Sequence, residues 1–357
     1  MTRPPQVSVI MPVYNGEAFL SEAIESILNQ TFADFEFIII DNASTDKTPE
    51  ILSRYASRDA RIRVHLQEKR GVAHAVNLAV SLATSRYIAR MDSDDISLPA
   101  RFQQQFDFLE NHPEIGVLGG AACMITAAGQ VLRLVHPPRS DSEIRSAMDR
   151  WSVMLNPTVM MRRNIALAVG PSRQQAKGAI DYDFLLRALQ HSQFANLDDA
   201  VLQYRIHANQ VSVTQMKSQV MSVLAAGAAA ALRKAGQPDP LDAVSQIDHQ
   251  TLHRLGIDRS QIDNTLLWNY TFWMDLVRRS DPDAALQMAD QVLHASELSP
   301  DRSCRVNARL VAASAYRAKR QPAKAAASVA HAILLEPSLA AQFLKRGLTT
   351  LFASSKA

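Results

Sequence analysis

The chain has only two cysteines in 357 residues, Cys123 and Cys304, and they lie far apart without CxxC spacing. That leaves neither a zinc site nor a disulfide framework, and a reducing cytoplasmic compartment is expected. Long apolar runs are missing as well. The longest, Val223 to Leu232, is alanine-rich and about half of the roughly 20 residues that span a bilayer, so any membrane association should be peripheral, on the cytoplasmic face. The opening MTRPPQVSVIMPVYNG interrupts its apolar stretch with Pro12 and reads as a strand closed by a turn, not as a signal peptide. Charge of one sign is scarcely in excess: 38 Lys+Arg against 35 Asp+Glu give +3, too little to argue for a nucleic-acid partner. No GxGxxG or Walker loop is present, so a dinucleotide dehydrogenase or P-loop kinase would lack its phosphate cradle.

What is present is an ordinary globular composition, 47% hydrophobic and 20% charged, long enough for one large unit and an appendage or for two units. The first hundred residues alternate strand and helix signals. Apolar runs at Gln6–Met11, Phe35–Ile40, Arg61–Leu66 and Arg86–Met91 have strand length, and the segments between them carry helical spacing, as in Leu20, Ala23, Ile24, Ile27 and Leu28. This βαβαβαβ order predicts a Rossmann-like α/β fold, a mixed and mainly parallel sheet with helices on both faces. Further strands are expected at Gly116–Ile125, Thr158–Met161 and Phe194–His207, with a hairpin through Gly129. From Val211 only helical, alanine-rich patterns follow. The domains are therefore read as 1–210 and an all-α 211–357.

Ligands of such sheets sit beyond the carboxyl ends of the strands, so the polar residues there carry the chemistry. Asp92-Ser93-Asp94 places two carboxylates two residues apart after a buried strand. Hard oxygens of this kind suit Mg²⁺ or Mn²⁺ completed by phosphate oxygens, although acidic triplets are also common in turns. Asp41 follows the second strand and is either an Asx-turn residue or a base-contacting carboxylate with Tyr14 stacked nearby. Asp181 and Asp183 open a helix, where a carboxylate either complements the helix dipole or serves as a base. His207 closes the segment YRIH, and as an isolated histidine it has no assigned role.

In combination these segments resemble the family 2 glycosyltransferases over about residues 6 to 210. VSVIMPVYNGEAFLSEAIESILNQTF is similar to the family's opening strand and helix, FEFIIIDNASTDKTPEIL to its base-binding segment, and RGVAHAVNLAVSLATSRYIARMDSDDISLPARFQQQ to the stretch through its acidic metal motif. The resemblance implies that Pro12 and Tyr14 line the base pocket, Asp41 contacts the base, Asp92 approaches the ribose or metal shell, and Asp94 ligates Mn²⁺ or Mg²⁺. It also implies Asp181 as general base, His207 as a metal or phosphate contact, and inversion at the sugar. The donor would be a nucleotide sugar, expected to be UDP-linked, and the acceptor a glycan or lipid-linked hydroxyl in polysaccharide or cell-surface glycan synthesis. Two departures stand out. Ile180 replaces the glutamate that neighbours the family's base, which predicts an unperturbed pKa for Asp181, and Asn42-Ala43 replaces a frequent Asp-Gly.

Tyr316, Ala325, Ala332 and Pro337 fall at spacings that weakly resemble a tetratricopeptide repeat, with an imperfect upstream copy ending at Pro300. The aromatic stretch Trp268 to Met274 is either core or a docking surface for membrane or protein. Two rival readings differ in class. A sugar-1-phosphate nucleotidyltransferase would need a glycine-rich, basic triphosphate loop, and PVYNGEAF has only Gly16. A non-catalytic nucleotide-sugar-binding scaffold is the other.

Overall fold

Nine strands form one mixed sheet in the computed structural model, which describes residues 3–68, 70–149, 151–294, 302–338 and 340–341. The expected alternation appears in order: β1 (Val7–Val13), α1 (Leu20–Leu28), β2 (Phe35–Asp41), α2 (Thr48–Ala56), β3 (Ile62–Leu66), α3 (Val72–Leu82) and β4 (Tyr87–Arg90). These four strands pair in parallel, β3-β2-β1-β4. They are followed by β5 (Ile96–Ser97), α4 (Arg101–Asn111), β6 (Ile115–Thr126), β7 (Val131–Val135), α5 (Asp141–Met148), β8 (Met160–Arg162), α6 (Arg163–Val169), α7 (Ile180–Ala188) and β9 (Gln193–Ile206). The sheet continues through β8, β6, β9 and β5, and the β4–β8, β6–β8, β6–β7 and β5–β9 pairs are antiparallel.

Strand periodicity explains the two cores. Val7, Val9, Met11 and Val13 point to a cluster with Leu20, Ile24, Phe37 and Phe102, while Ile10, Ile38, Ile40 and Ile88 point to one with Ala75, Ala79, Tyr182 and Leu185. Both faces of the parallel half are thus covered, as its near-continuous apolar strands require. Each fully buried isoleucine contributes about 1.5–3 kcal/mol.

Three local readings change. Pro12 does not end β1, which runs on to Val13. The Ile10 carbonyl accepts from Met91 N–H and the Val13 carbonyl from Asn42 N–H, so Pro12 faces the β4 side, beyond the last register pair Ile10–Arg90. A missing N–H is tolerated there because no ladder bond is due. The Thr158–Met161 segment begins as a 3₁₀ turn, Asn156–Thr158, before β8. The two-residue β5, between the acidic motif and α4, was not foreseen.

Beyond β9 follow α8 (Val211–Thr214), α9 (Met216–Lys234), α10 (His249–Arg254), α11 (Arg259–Val277), α12 (Pro282–His294), α13 (Arg302–Ala318) and α14 (Pro322–Leu335). The chain forms two compact units. The first comprises Met1–Ile125, Val131–Arg205 and Ser222–Thr251, and the second Thr126–Gln130, Ile206–Met221 and Leu252–Ala357. Within the first, Val223, Ala226 and Ala230 of α9 join the second core cluster. In the second, Leu266, Leu267 and Met274 are buried whereas Trp268 is 54% exposed, its ring stacked on Phe272 at 5.6 Å. Pro300 lies outside the described residues. No helix among those described is long and apolar enough to cross a membrane.

An ion cluster fixes α7 from behind. Asp183 is fully enclosed and accepts from Arg187 Nε at 3.1 Å and Arg173 Nη1 at 3.5 Å. Arg173 Nη2 also donates to Asp239 and Asp242, each at 2.8 Å, and Arg233 pairs with Asp239. Removing one partner strands the others' charge in a low dielectric. Asp183→Ala should therefore lower the unfolding free energy by about 3–5 kcal/mol in urea titrations; a loss below about 1 kcal/mol would mean that the cluster does not hold this helix.

Candidate active site

The loops after β1 and β2 are interlocked at the carboxyl edge of the sheet. Asn15 N–H donates to Ser44 Oγ (2.9 Å), Thr45 N–H to Asn15 Oδ1 (2.8 Å), Gly16 N–H to Thr48 Oγ1 (2.8 Å) and Glu17 N–H to Asp46 Oδ2 (3.0 Å). Asp46 also accepts from Thr48 N–H (3.0 Å), which satisfies a free donor at the start of α2. The buried Asp41 accepts from Ser44 N–H through Oδ1 at 3.0 Å, so the Asx turn expected as one alternative is formed. Asn42 Oδ1 takes the N–H of Gly71 at 2.7 Å and the amide of Gln67 at 3.0 Å, tying the β3–α3 loop to the same edge. Ala43 sits at φ 62°, in the left-handed region where a Cβ is strained. Ala43→Gly should raise stability by about 0.5–1 kcal/mol in a denaturant titration, whereas a loss would mean that the alanine methyl contributes packing of its own.

Pro12, Tyr14 and Asp41 lie together around this edge. One face of the Tyr14 ring is covered by the Arg70 guanidinium, 3.7 Å from the ring centroid. Arg70, an exposed arginine in the β3–α3 loop, was missed from the sequence because nothing in its spacing ties it to Tyr14.

The acidic motif is stitched to the end of β9. Arg205 N–H donates to Asp95 Oδ1 and Arg205 Nε to the Asp94 carbonyl, both at 2.8 Å, while its Nη2 pairs with Glu22. Below it, the fully buried Arg101 donates to the Arg90 carbonyl (2.8 Å) and to Gln105 (3.0 Å). The fold also brings Asp181, the second residue of α7, into the field of this motif. Asp92 is pushed up to about 7 by burial, with Asp94 and Asp181 adding to the rise and Arg90 and Arg101 opposing it. Burial likewise raises Asp181, against the pull of Tyr182 N–H and Arg90. Asp95 is driven well above the usual carboxylate range by burial and by Asp94 and Asp92, and its Oδ2 is buried without a hydrogen-bond partner. The Tyr204 hydroxyl is pushed far up by burial and then by Asp95, Asp94, Asp92 and Asp181 in turn, which puts it beside the same carboxylates.

The structure thus unites Asp92, Asp94 and Asp181 and adds Arg90, Arg101 and Tyr204, which the sequence reading passed over. A charged residue closing the apolar strand YIAR was the available signal for Arg90. The expectation of an unperturbed Asp181 is overturned, because desolvation by the protein acts whether or not a glutamate adjoins it. His207 directly follows β9, its N–H donating to Gln210 Oε1 at 2.9 Å. Asp183 serves the ion cluster and is no candidate base.

Among the described residues no group of three His, Cys, Asp or Glu side chains forms a ready-made metal site. The donor set nevertheless fits a hard divalent cation: the crowded carboxylates raise one another's pKa, and the buried Asp95 Oδ2 has no partner. Such a site is completed by substrate phosphate oxygens.

The raised pKa of Asp92 has a consequence for stability. Between its unfolded value of about 4 and its folded value of about 7 the native state binds more protons, so its contribution falls as pH rises through that window. Asp92→Asn should therefore stabilise the ligand-free protein at pH 8, by up to ~4 kcal/mol, and leave it unchanged at pH 4. Equal unfolding midpoints at both pH values would show that the carboxylate is not strained.

A sequence profile described as glycosyl transferase family 2 matches residues 8–166. An uncharacterized glycosyltransferase of Methanocaldococcus jannaschii is 33% identical over 221 residues, 60% of this chain and 76% of the relative. An O-antigen biosynthesis glycosyltransferase of Escherichia coli, WbnJ, is 31% identical over 207 residues, 56% of this chain and 80% of its own. Among solved structures, S. aureus TarS 1-349 in complex with UDP-GlcNAc superposes with a TM-score of 0.51 at 17% identity, covering 95% of this chain and 92% of that one. The mannosyltransferase PcManGT from Pyrobaculum calidifontis, in complex with GDP-Man and Mn²⁺, gives 0.51 at 19% identity, covering 93% and 88%. With relatives of this identity covered over three quarters of their length, and with the sheet and acidic edge described above, the chain belongs to glycosyl transferase family 2.

Proposed function

We propose that the enzyme moves a sugar from a UDP-linked donor to a hydroxyl of a glycan or lipid-linked acceptor with inversion, in polysaccharide or cell-surface glycan synthesis. The observation that carries this reading is the convergence of Asp181 with Asp92 and Asp94 in one electrostatic neighbourhood from distant parts of the chain. The named activity of the Escherichia coli relative supports the glycan setting, and the nucleotide-sugar complexes of the two structural neighbours support the donor class.

Donor recognition is assigned to residues 1–210. Tyr14 and Pro12 flank the base and Asp41 accepts a base N–H, while Asn42 and Gly71 keep the loop behind it rigid. Asp92 faces the ribose or metal shell. Asp94 would hold Mn²⁺ or Mg²⁺, whose chemistry when bound is Lewis-acid neutralisation of the leaving diphosphate, worth several kcal/mol in metal enzymes. Asp181 takes the proton of the acceptor hydroxyl as its oxygen attacks C1. The C1–O bond to the diphosphate breaks in the same displacement, and its electron pair leaves with the nucleotide. A base on the side opposite the diphosphate requires a carboxylate from a different element than the metal motif, and α7 supplies it.

Asp181→Asn keeps the size of the side chain but cannot take a proton, so kcat should fall about 10²–10⁴-fold with donor affinity nearly unchanged. The base must be ionised to act and its pKa is raised, so kcat/KM of the native enzyme should decline on the acid side at a pH above about 4. Turnover of the variant within a few-fold of native, measured with Mn²⁺ and a competent acceptor, would remove Asp181 from the chemistry.

A further inference from the structure

Between α3, α6 and α7 lies a cavity of about 290 Å³ that reaches Asp181. Its walls are mainly apolar, formed by Val80, Ala166, Ile180 and Phe184 over Ile10 and Ile88 of the sheet. Exposed Leu167 and Pro171 stand at its rim. Most of the polar groups that could line it are already committed. Asn77 exchanges two hydrogen bonds with the backbone of Ser172, at 2.9 and 2.8 Å, and the Ser81 hydroxyl donates to the Leu78 carbonyl at 2.7 Å. Arg90 differs. It lines the cavity at 6% exposure, and its Nη1 is buried without a hydrogen-bond partner.

A buried guanidinium donor left unmade costs stability that a ligand oxygen can recover. The character of that oxygen follows from its surroundings. Asp181 lines the same cavity and already acts on Arg90, so an anionic ligand would meet a carboxylate of its own sign, whereas a neutral ether or carbonyl oxygen would not. The aliphatic lining in turn suits a hydrocarbon chain.

We propose that this cavity receives an aliphatic aglycone of the acceptor: a neutral chain joined through an oxygen that Arg90 donates to, with the accepting hydroxyl presented to Asp181. The proposal rests on Asp181 as the base, and it makes the enzyme selective for acceptors that carry an apolar group beside the reacting hydroxyl.

The test uses n-alkyl β-glucopyranosides from methyl to octyl, below their micellar concentrations, titrated calorimetrically into the full-length chain. Affinity should rise roughly fourfold per added methylene and level off once the cavity is full. Val80→Phe and Ala166→Leu each fill the space from a different helix. Either should abolish the chain-length dependence while donor hydrolysis stays at the native rate. Equal affinity for methyl and octyl glucoside in the native protein would overturn the proposal, and that series needs no variant to fold. Retention of the dependence in both variants would overturn it too, since the chain would then bind to apolar surface elsewhere, such as that around Trp268. If the native protein shows the dependence and the variants lose it, but no nucleotide sugar is ever hydrolysed, the cavity stands and the transferase mechanism falls.

Discussion

Carboxylates of like charge held close together in a poorly solvated cleft are the constraint from which the rest of this structure follows. Asp92, Asp94, Asp95 and Asp181 cannot all ionise freely in such a place, and burial keeps protons on Asp92 and Asp95 beyond the usual carboxylate range. The fold answers with buried arginines. Arg101 lies beneath the motif, its own pKa pushed down to about 9 by burial despite the pull of Asp95 and Asp92, and Arg90 feels the charge of both Asp92 and Asp181. Were all four carboxylates to ionise, their charge would exceed that of the three buried guanidiniums of Arg90, Arg101 and Arg205. On the proposed function, a divalent cation bound beside these carboxylates would relieve their mutual repulsion.

Rigid packing keeps these charges where mutual repulsion would otherwise separate them. Arg205 ties the acidic motif to the last long strand through Asp95 and the Asp94 carbonyl. Asp183, two residues beyond the proposed base, anchors α7 through Arg173 and Arg187, and Asp239 and Asp242 from the 222–251 segment complete that anchor. The contribution of residues beyond 210 to the first compact unit is therefore local and electrostatic as much as apolar.

The strands and helices of the first hundred residues were legible because their periodicities are clean and their turns carry Asn, Asp and Gly in the usual places. The acidic motif and Asp181 were legible through resemblance. Their meeting was not, since α7 reaches the motif only through the sheet order β4-β8-β6 and the packing of α7 on β1 and β4. Arg90 and Tyr204 were hidden for a related reason: strand alternation says which face a side chain takes, but not what an element from elsewhere brings opposite it. The pKa of Asp181 was misjudged because one adjacent residue was weighed while desolvation by the whole protein set the value. Ile180, which read as a loss of electrostatic support, is part of the wall of an apolar cavity.

On the proposed function, this acidic edge takes up a cation and a diphosphate together. Calorimetric titration of Mn²⁺ into the protein, with and without a saturating nucleoside diphosphate, tests it most directly. Mn²⁺ should bind the protein alone weakly or not at all and at least tenfold more tightly when UDP is present, with the same gain in UDP affinity when the order is reversed, as linkage requires. Mn²⁺ affinity that is indifferent to UDP and to the other nucleoside diphosphates would contradict it.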